Sequence, residues 1–311
     1  MFEIRRHAIN AVRSVDWLRS RVTNAAGRTA AERGADHRYG DAVDERERAG
    51  VLANQARWDE SVPWHAESDL YDLAGFRAGR DDIRPFELEE IGDVQGQELL
   101  HLQCHLGTDT LSWARHGARV AGLDFSPNAI EVAKALSADC GIEAEFWCAD
   151  VYDAADAVDR RRFDIVYTGI GALGWLPDLS TWAHVVASLL RPGGVLYLVE
   201  IHPIVIGLLD DGLTMTNDIL DAAYIEWDEK GGTYAAPDAI FENTTTFERV
   251  HSISDVITAV LDAGFVLELF HEQSYTNAPW PWTERGDDGY YRLPACSPRF
   301  PLTYSLRARL R

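Results

Sequence analysis

Between Glu98 and Ile201 short apolar runs alternate with segments of helical periodicity, and this rhythm restricts the chain more than any other feature. It predicts strands over Glu98 to Gln103, Ala118 to Asp124, Ala144 to Cys148, Phe163 to Thr168 and Val195 to Ile201. The last is entered through the turn Pro192-Gly193-Gly194. Helices are expected at Thr108 to His116, Ala129 to Cys140 and Leu179 to Leu190, the first two closed by Gly117 and Gly141. Parallel strands need crossovers of this length, so the pattern predicts an α/β fold: a largely parallel sheet with helices on both faces and right-handed connections. A further helix is expected over Ile253 to Ala263, and strands over Phe265 to Glu272 and Leu302 to Arg309.

Composition narrows the partners. The 311 residues carry a net charge of −21, which repels phosphate backbones, so no nucleic acid is expected as substrate. Basic residues gather at the ends: eight Arg stand against four acids between Met1 and Gly40, and the tail carries Arg299, Arg307, Arg309 and Arg311. A small neutral or cationic molecule fits the acidic middle better. Apolar runs fall well short of the ~20 residues that span a bilayer, so no membrane partner is expected. The charged opening Met1 to Arg6 has no signal-peptide pattern, and a cytoplasmic location is expected. Cys104, Cys140, Cys148 and Cys296 are spaced too irregularly for a zinc site or a short disulfide framework; they read as reduced thiols, with no metal.

The chain divides into an arm and linker over residues 1–50, a helical lid over 51–95 and a catalytic domain over 96–311. In the arm, Ile4, Ala8, Ala11, Val15, Leu18 and Val22 form an apolar stripe opposite five arginines, an amphipathic helix expected to join copies of the chain in a homo-oligomer. The lid carries Trp58, Trp64, Tyr71, Phe76 and Phe86, with helical spacing through Leu52 and Ala56 and a break expected at Pro63. These aromatics suit packing or the roof of a substrate pocket, and both readings stand. Two long aromatic loops, about 203–241 and 275–293, interrupt the later part; they pack against the core or bind an apolar substrate.

The segment Leu99-Leu100-His101-Leu102-Gln103-Cys104-His105-Leu106-Gly107-Thr108-Asp109-Thr110 should bring a ligand close to backbone at the carboxyl end of the first strand. It resembles the first motif of class I S-adenosylmethionine-dependent methyltransferases, in which an acid and a Gly-x-Gly-x-Gly turn cradle the amino acid end of the cofactor. Here His101 stands at the acid's place, Gln103 and His105 at the first two glycines, and only Gly107 is kept. A pyrophosphate needs bare amides at the helix start, so the crowded turn argues against a nicotinamide-dependent oxidoreductase on a similar fold. Gln103 and His105 otherwise merely satisfy backbone groups of the turn.

The resemblance implies a Rossmann-like sheet of seven strands, six parallel and one antiparallel. It puts the cofactor against Gln103, His105, Gly107 and Thr108, then Asp124 at the ribose with Phe125 beside the adenine, Asp150 and Val151 at the adenine edge, and Thr168 and Gly169 after the fourth strand. Asp124 stands 17 positions beyond Gly107, one helix plus one strand away. As an alternative it caps the next helix, although Ser126 and Pro127 suit that task. Trp175 and Tyr71 are candidate substrate contacts. His202, two residues past Glu200, is the candidate catalytic base and His105 a second, while His251 reads as a cap or surface residue. The implied activity is methyl transfer to a small, apolar or aromatic acceptor, in the manner of actinobacterial enzymes of secondary metabolism. A non-catalytic, regulatory S-adenosylmethionine binder is the other alternative.

Overall fold

The computed structural model describes residues 45–208, 214–215, 217–220 and 223–311. In chain order the elements are α1 (Glu45–Ala66), α2 (Leu73–Arg77), α3 (Pro85–Ile91), β1 (Glu98–Leu102), α4 (Thr108–Arg115), β2 (Arg119–Asp124), α5 (Pro127–Cys140), β3 (Ala144–Cys148), α6 (Ala154–Ala157), β4 (Phe163–Thr168), α7 (Leu179–Leu189) and β5 (Leu190–Ile201). There follow α8 (Pro203–Gly207), β6 (Tyr224–Asp228), β7 (Thr245–Arg249), α9 (Ile253–Asp262), β8 (Phe265–Gln273), the two-residue strands β9 (Tyr275–Thr276), β10 (Glu284–Arg285) and β11 (Tyr291–Arg292), and β12 (Thr303–Leu310). The amphipathic segment 2–22 and nearly all of the linker lie outside the described residues.

Seven strands pair in the order β3-β2-β1-β4-β5-β12-β8. The first five are mutually parallel, and β12 runs antiparallel to both β5 and β8. This is the expected sheet of six strands in one direction and one reversed. Alternation along β1 divides its apolar residues between the two faces. Leu99 joins Trp113, Ile165, Tyr197 and Val199 on one side, whereas Leu100 joins Leu123, Trp182, Val186 and Leu306 on the other. Both faces are therefore dry, as a parallel sheet requires.

Local chemistry sets the helix starts. Ser126 caps α5, its Oγ accepting from the Ala129 amide at 3.0 Å with Pro127 in the first turn, and Gly141 ends that helix in the left-handed region. Ser252 and Asp255 form a capping box on α9. The sheet order reverses between β1 and β4, and the crevice over their carboxyl ends is where α/β sheets take ligands.

Three sequence expectations change. Pro63 lies inside α1 rather than breaking it. The missing proline amide leaves the Asp59 carbonyl free, and Asn128 Nδ2 donates to it at 3.3 Å. The buried side of α1 is also mostly polar: Gly50, Asn54, Arg57, Ser61 and His65 face inward with Val62, while Leu52 is 59% exposed. Finally, β6 and β7 form an antiparallel pair reaching into the first long loop. It is bound to α1 by a two-way bond, in which Asn54 Nδ2 donates to the Phe247 carbonyl and the Phe247 amide donates to Asn54 Oδ1, each at 2.8 Å.

Candidate active site

At the end of β1 the backbone takes a left-handed conformation at every second residue: φ is 58° at Gln103, 46° at His105 and 78° at Gly107. The two residues that occupy glycine positions of the resembling motif thus keep the glycine-type backbone and bear its strain, about 1 kcal/mol or more each. Gln103 is held by its Nε2, which donates to the Ala172 carbonyl at 3.0 Å, while its Oε1 is buried without a partner. Gly107 has no such latitude, because a Cβ there would stand 2.9 Å from the Ala133 Cβ. Gly107→Ala is expected to destabilise the chain by about 2–4 kcal/mol, from left-handed strain plus overpacking. Gln103→Gly should stay within about 1 kcal/mol of wild type, since relieved strain offsets a lost hydrogen bond. Urea unfolding measures both; equal losses would contradict this account of the turn.

Asp124 ends β2 directly beside that turn and is 6% exposed. One carboxylate oxygen accepts from the His105 amide at 2.8 Å and the other from the Ser126 amide at 2.9 Å. Burial outweighs these bonds and pushes the carboxyl up to about 6. With Phe125, Asp150, Val151 and Trp175 it lines a pocket of about 120 Å³. Asp150 also caps the turn after β3, accepting from the Tyr152 amide at 3.0 Å. Helix α1 secures this rim: Gln55 Nε2 donates to the Phe125 carbonyl at 2.6 Å, and the Asp59 carboxylate accepts from Ser126 Oγ and from the amide and side chain of Asn128.

A second cavity of about 1050 Å³ opens on the other side of the turn, and Gln103, His105, Tyr71 and Trp175 border both. Its roof is a cluster of rings. His65 Nδ1 and His105 Nε2 share a hydrogen bond at 3.0 Å, His65 Nε2 meets Thr233 Oγ1 at 2.8 Å, and the Tyr71 and Tyr234 hydroxyls lie 2.5 Å apart. Trp58 stands edge-on to both histidines and to Trp175. Burial lowers His65 to about 4, and His105, also beside His65, falls well below the usual histidine value. Both imidazoles are neutral near pH 7. On the floor, the buried Glu200 carboxylate accepts from the amides of Gly171, Ala172 and Leu173 at 2.6–2.9 Å and so shapes the loop after β4.

Residues 100–196, which hold this turn, Asp124 and the loop after β4, match a methyltransferase domain family. That stretch carries a methyltransferase domain. Ubiquinone biosynthesis O-methyltransferases of Alkalilimnicola ehrlichii and Salmonella enteritidis are 32% and 31% identical to the chain, over 42% and 50% of its length. The matched regions span 53% and 60% of those two relatives, little over half of each. Among solved structures, a Listeria monocytogenes protein assigned as an S-adenosylmethionine dependent methyltransferase superposes with a TM-score of 0.53 at 17% identity, covering 73% of this chain and 96% of its own. The PH0226 protein of Pyrococcus horikoshii gives 0.52 at 15%, covering 78% and 94%. At these identities the likeness is one of fold.

The cofactor of such domains is S-adenosylmethionine, and the methyltransferase crevice suits its parts. A carboxylate beside the turn can accept two ribose hydroxyls, the apolar slot between Phe125 and Val151 matches a purine, and the unpartnered Gln103 Oε1 asks for a donor. Of the residues singled out in the sequence, Gln103, His105, Asp124, Phe125, Asp150, Val151, Tyr71 and Trp175 border the smaller pocket, and Thr108 and Gly169 the larger. Gly107 and Thr168 border neither; Gly107 packs beneath the turn, and the fully buried Thr168 ends β4.

His202 does not meet the cavities. Its Nδ1 accepts from the Ile204 amide at 3.2 Å, capping α8, and its Nε2 lies 3.1 Å from Glu272 Oε1, so both nitrogens are engaged. His251 lines the larger cavity instead of the surface, bonded at 2.9 Å to the Leu176 carbonyl. Sequence reasoning missed His65, Tyr234 and Asp109. The polar stripe of α1 was the one available signal for His65.

Proposed function

We propose that the chain transfers a methyl group from S-adenosylmethionine to a small, apolar or aromatic acceptor held in the larger cavity. The observation that carries this reading is the shared border: the left-handed turn and Asp124 face one pocket, and the same Gln103 and His105 face a 1050 Å³ cavity roofed by rings. When bound, the cofactor supplies a methyl carbon made electrophilic by positive sulfur; the new bond to the acceptor forms as the carbon–sulfur bond breaks. The chain's task is alignment and exclusion of water. Asp124 and Asp150 hold the adenosine end, Glu200 fixes the loop over β4, and Trp58, Tyr71, Trp175 and Tyr234 close the roof.

The relatives' O-methyl transfer favours an oxygen acceptor. His105 and His65, neutral near pH 7, suit orienting an acceptor hydroxyl through a hydrogen bond, and the Thr233 hydroxyl extends their hydrogen-bonded chain. We assign this chemistry to the cytoplasm and to secondary metabolism, and association between copies to the amphipathic segment 2–22. Among the described residues no helix is long and apolar enough to cross a membrane.

Incubation with methyl-labelled S-adenosylmethionine and a panel of small phenols and apolar alcohols tests the reading. Label should pass to at least one acceptor with equimolar S-adenosylhomocysteine. Tight binding of S-adenosylhomocysteine without transfer to any acceptor would favour a regulatory binder.

A further inference from the structure

The resembling motif places an acid at the end of β1, where this chain has His101. That histidine is buried and bonded through Nδ1 to Thr110 Oγ1 at 2.8 Å, and burial lowers it to about 3, so it carries no charge near pH 7. A carboxylate reaches the same spot from the other side of the turn. Asp109 lies two residues past Gly107, in the first turn of α4, and its Oδ2 stands 3.4 Å from the point where a Cβ on Gly169 would sit. His101 Nε2 stands 3.4 Å from that same point. All three residues border the larger cavity.

The surrounding charges leave Asp109 without a cation of its own. Arg84 is paired closely with Glu87, and Arg80 with Asp82. Among the described residues no Lys, Arg or His nitrogen forms an ion pair with Asp109. Its one neutral contact is long, the Tyr167 hydroxyl at 3.4 Å, and that hydroxyl lies nearer to Glu87 Oε2, at 2.8 Å. One long contact shared with Glu87 leaves this carboxylate short of the donors that a buried acid needs. Burial raises it to about 7, with Asp82 and Glu87 pushing in the same direction and Arg84 opposing. In the same turn Gln103 Oε1 is a second buried acceptor without a partner. Asp109, with that single long contact, and the unpartnered Gln103 Oε1 both border the larger cavity, and together they describe a seat for a compact cation with several N–H donors.

We propose that Asp109 receives the α-ammonium group of the cofactor's methionine end, in place of the acid that His101 has displaced. This rests on the cofactor reading above. It differs from the ordinary use of an aspartate in a first helical turn, where the carboxylate answers the helix dipole and needs no ligand.

The test is calorimetric titration of the full chain at pH 8 with three ligands: S-adenosylhomocysteine, its analogue lacking the α-amino group, and 5'-methylthioadenosine, which lacks the amino acid end. The wild-type chain should bind S-adenosylhomocysteine about 30-fold more tightly than the deaminated analogue, the size of one charge-assisted bond. Asp109→Asn should bring those two affinities within about 3-fold of each other and leave 5'-methylthioadenosine unchanged, which shows that the turn is intact; Asp109→Glu should restore part of the preference. An unaltered preference in Asp109→Asn would overturn the proposal, as would an equal loss for all three ligands. If the wild-type chain binds 5'-methylthioadenosine but does not prefer the amino compound, only the Asp109 assignment falls. If it binds none of the three, the cofactor reading falls as well.

Discussion

Asp124→Ala should weaken S-adenosylhomocysteine binding by about 100-fold, because two ribose hydroxyls lose a charged acceptor worth about 1.5 kcal/mol or more apiece. The same carboxylate holds the His105 and Ser126 amides, so the variant should also lose about 2 kcal/mol of stability. The pH dependence has a defined sign. Burial lifts the folded-state carboxyl to about 6 from an ordinary 3.8, so the folded chain holds this proton more tightly than the unfolded one. The group's contribution to stability is therefore largest below its unfolded value and declines as pH rises through about 6. Ligand affinity moves the other way, since the ionised form accepts both hydroxyls. Titration with 5'-methylthioadenosine, which carries the ribose but no ammonium group, should give an affinity that rises between pH 5 and 7 in wild type and is flat in Asp124→Asn. A flat wild-type profile would remove Asp124 from the ribose.

The second large effect belongs to Glu200, whose carboxylate gathers the amides of three consecutive residues after β4. Glu200→Ala strands those donors in a buried place. The expected cost is about 3–5 kcal/mol by urea unfolding, as for other losses of a buried hydrogen-bond network. Glu200→Gln keeps the shape but offers one acceptor oxygen and an amide donor that meets N–H groups head on, so it should recover less than half of the loss. A Glu200→Ala chain as stable as wild type would mean that the loop is held by other contacts.

The central sheet was legible because its signals are local. Strand and helix limits between Glu98 and Ile201 follow from apolar runs, Ser126-Pro127 and Gly141, and they agree with the structure to within a residue or two at most boundaries. A longer β5, which begins at Leu190 rather than Val195, is the main exception there. The position of Asp124 beside the first turn was a matter of counting. What escaped the sequence depends on partners distant along the chain. Pro63 stays helical because Asn128 uses the carbonyl that proline leaves free, and nothing near Pro63 announces it. Helix α1 buries Asn54, Arg57 and His65 because β7, the segment between β6 and β7 and the turn after β1 supply their partners, so its inward side, Val62 apart, has no apolar pattern to read. Asp109 looked like an ordinary first-turn aspartate until the fold brought it to Gly169 opposite His101. His202 was chosen for standing at a strand end, but its ring turns toward the start of α8 and Glu272. The left-handed backbone at Gln103 and His105 was hidden for a different reason: side chains normally mark its absence, and here the turn imposes it regardless.

Calorimetric titration of the full chain with S-adenosylhomocysteine and, separately, NAD addresses the central claim most directly. The account predicts micromolar or tighter binding of S-adenosylhomocysteine and none of NAD, whose pyrophosphate has no bare amides to meet at a turn carrying Gln103 and His105. Binding of NAD in preference to S-adenosylhomocysteine would contradict it.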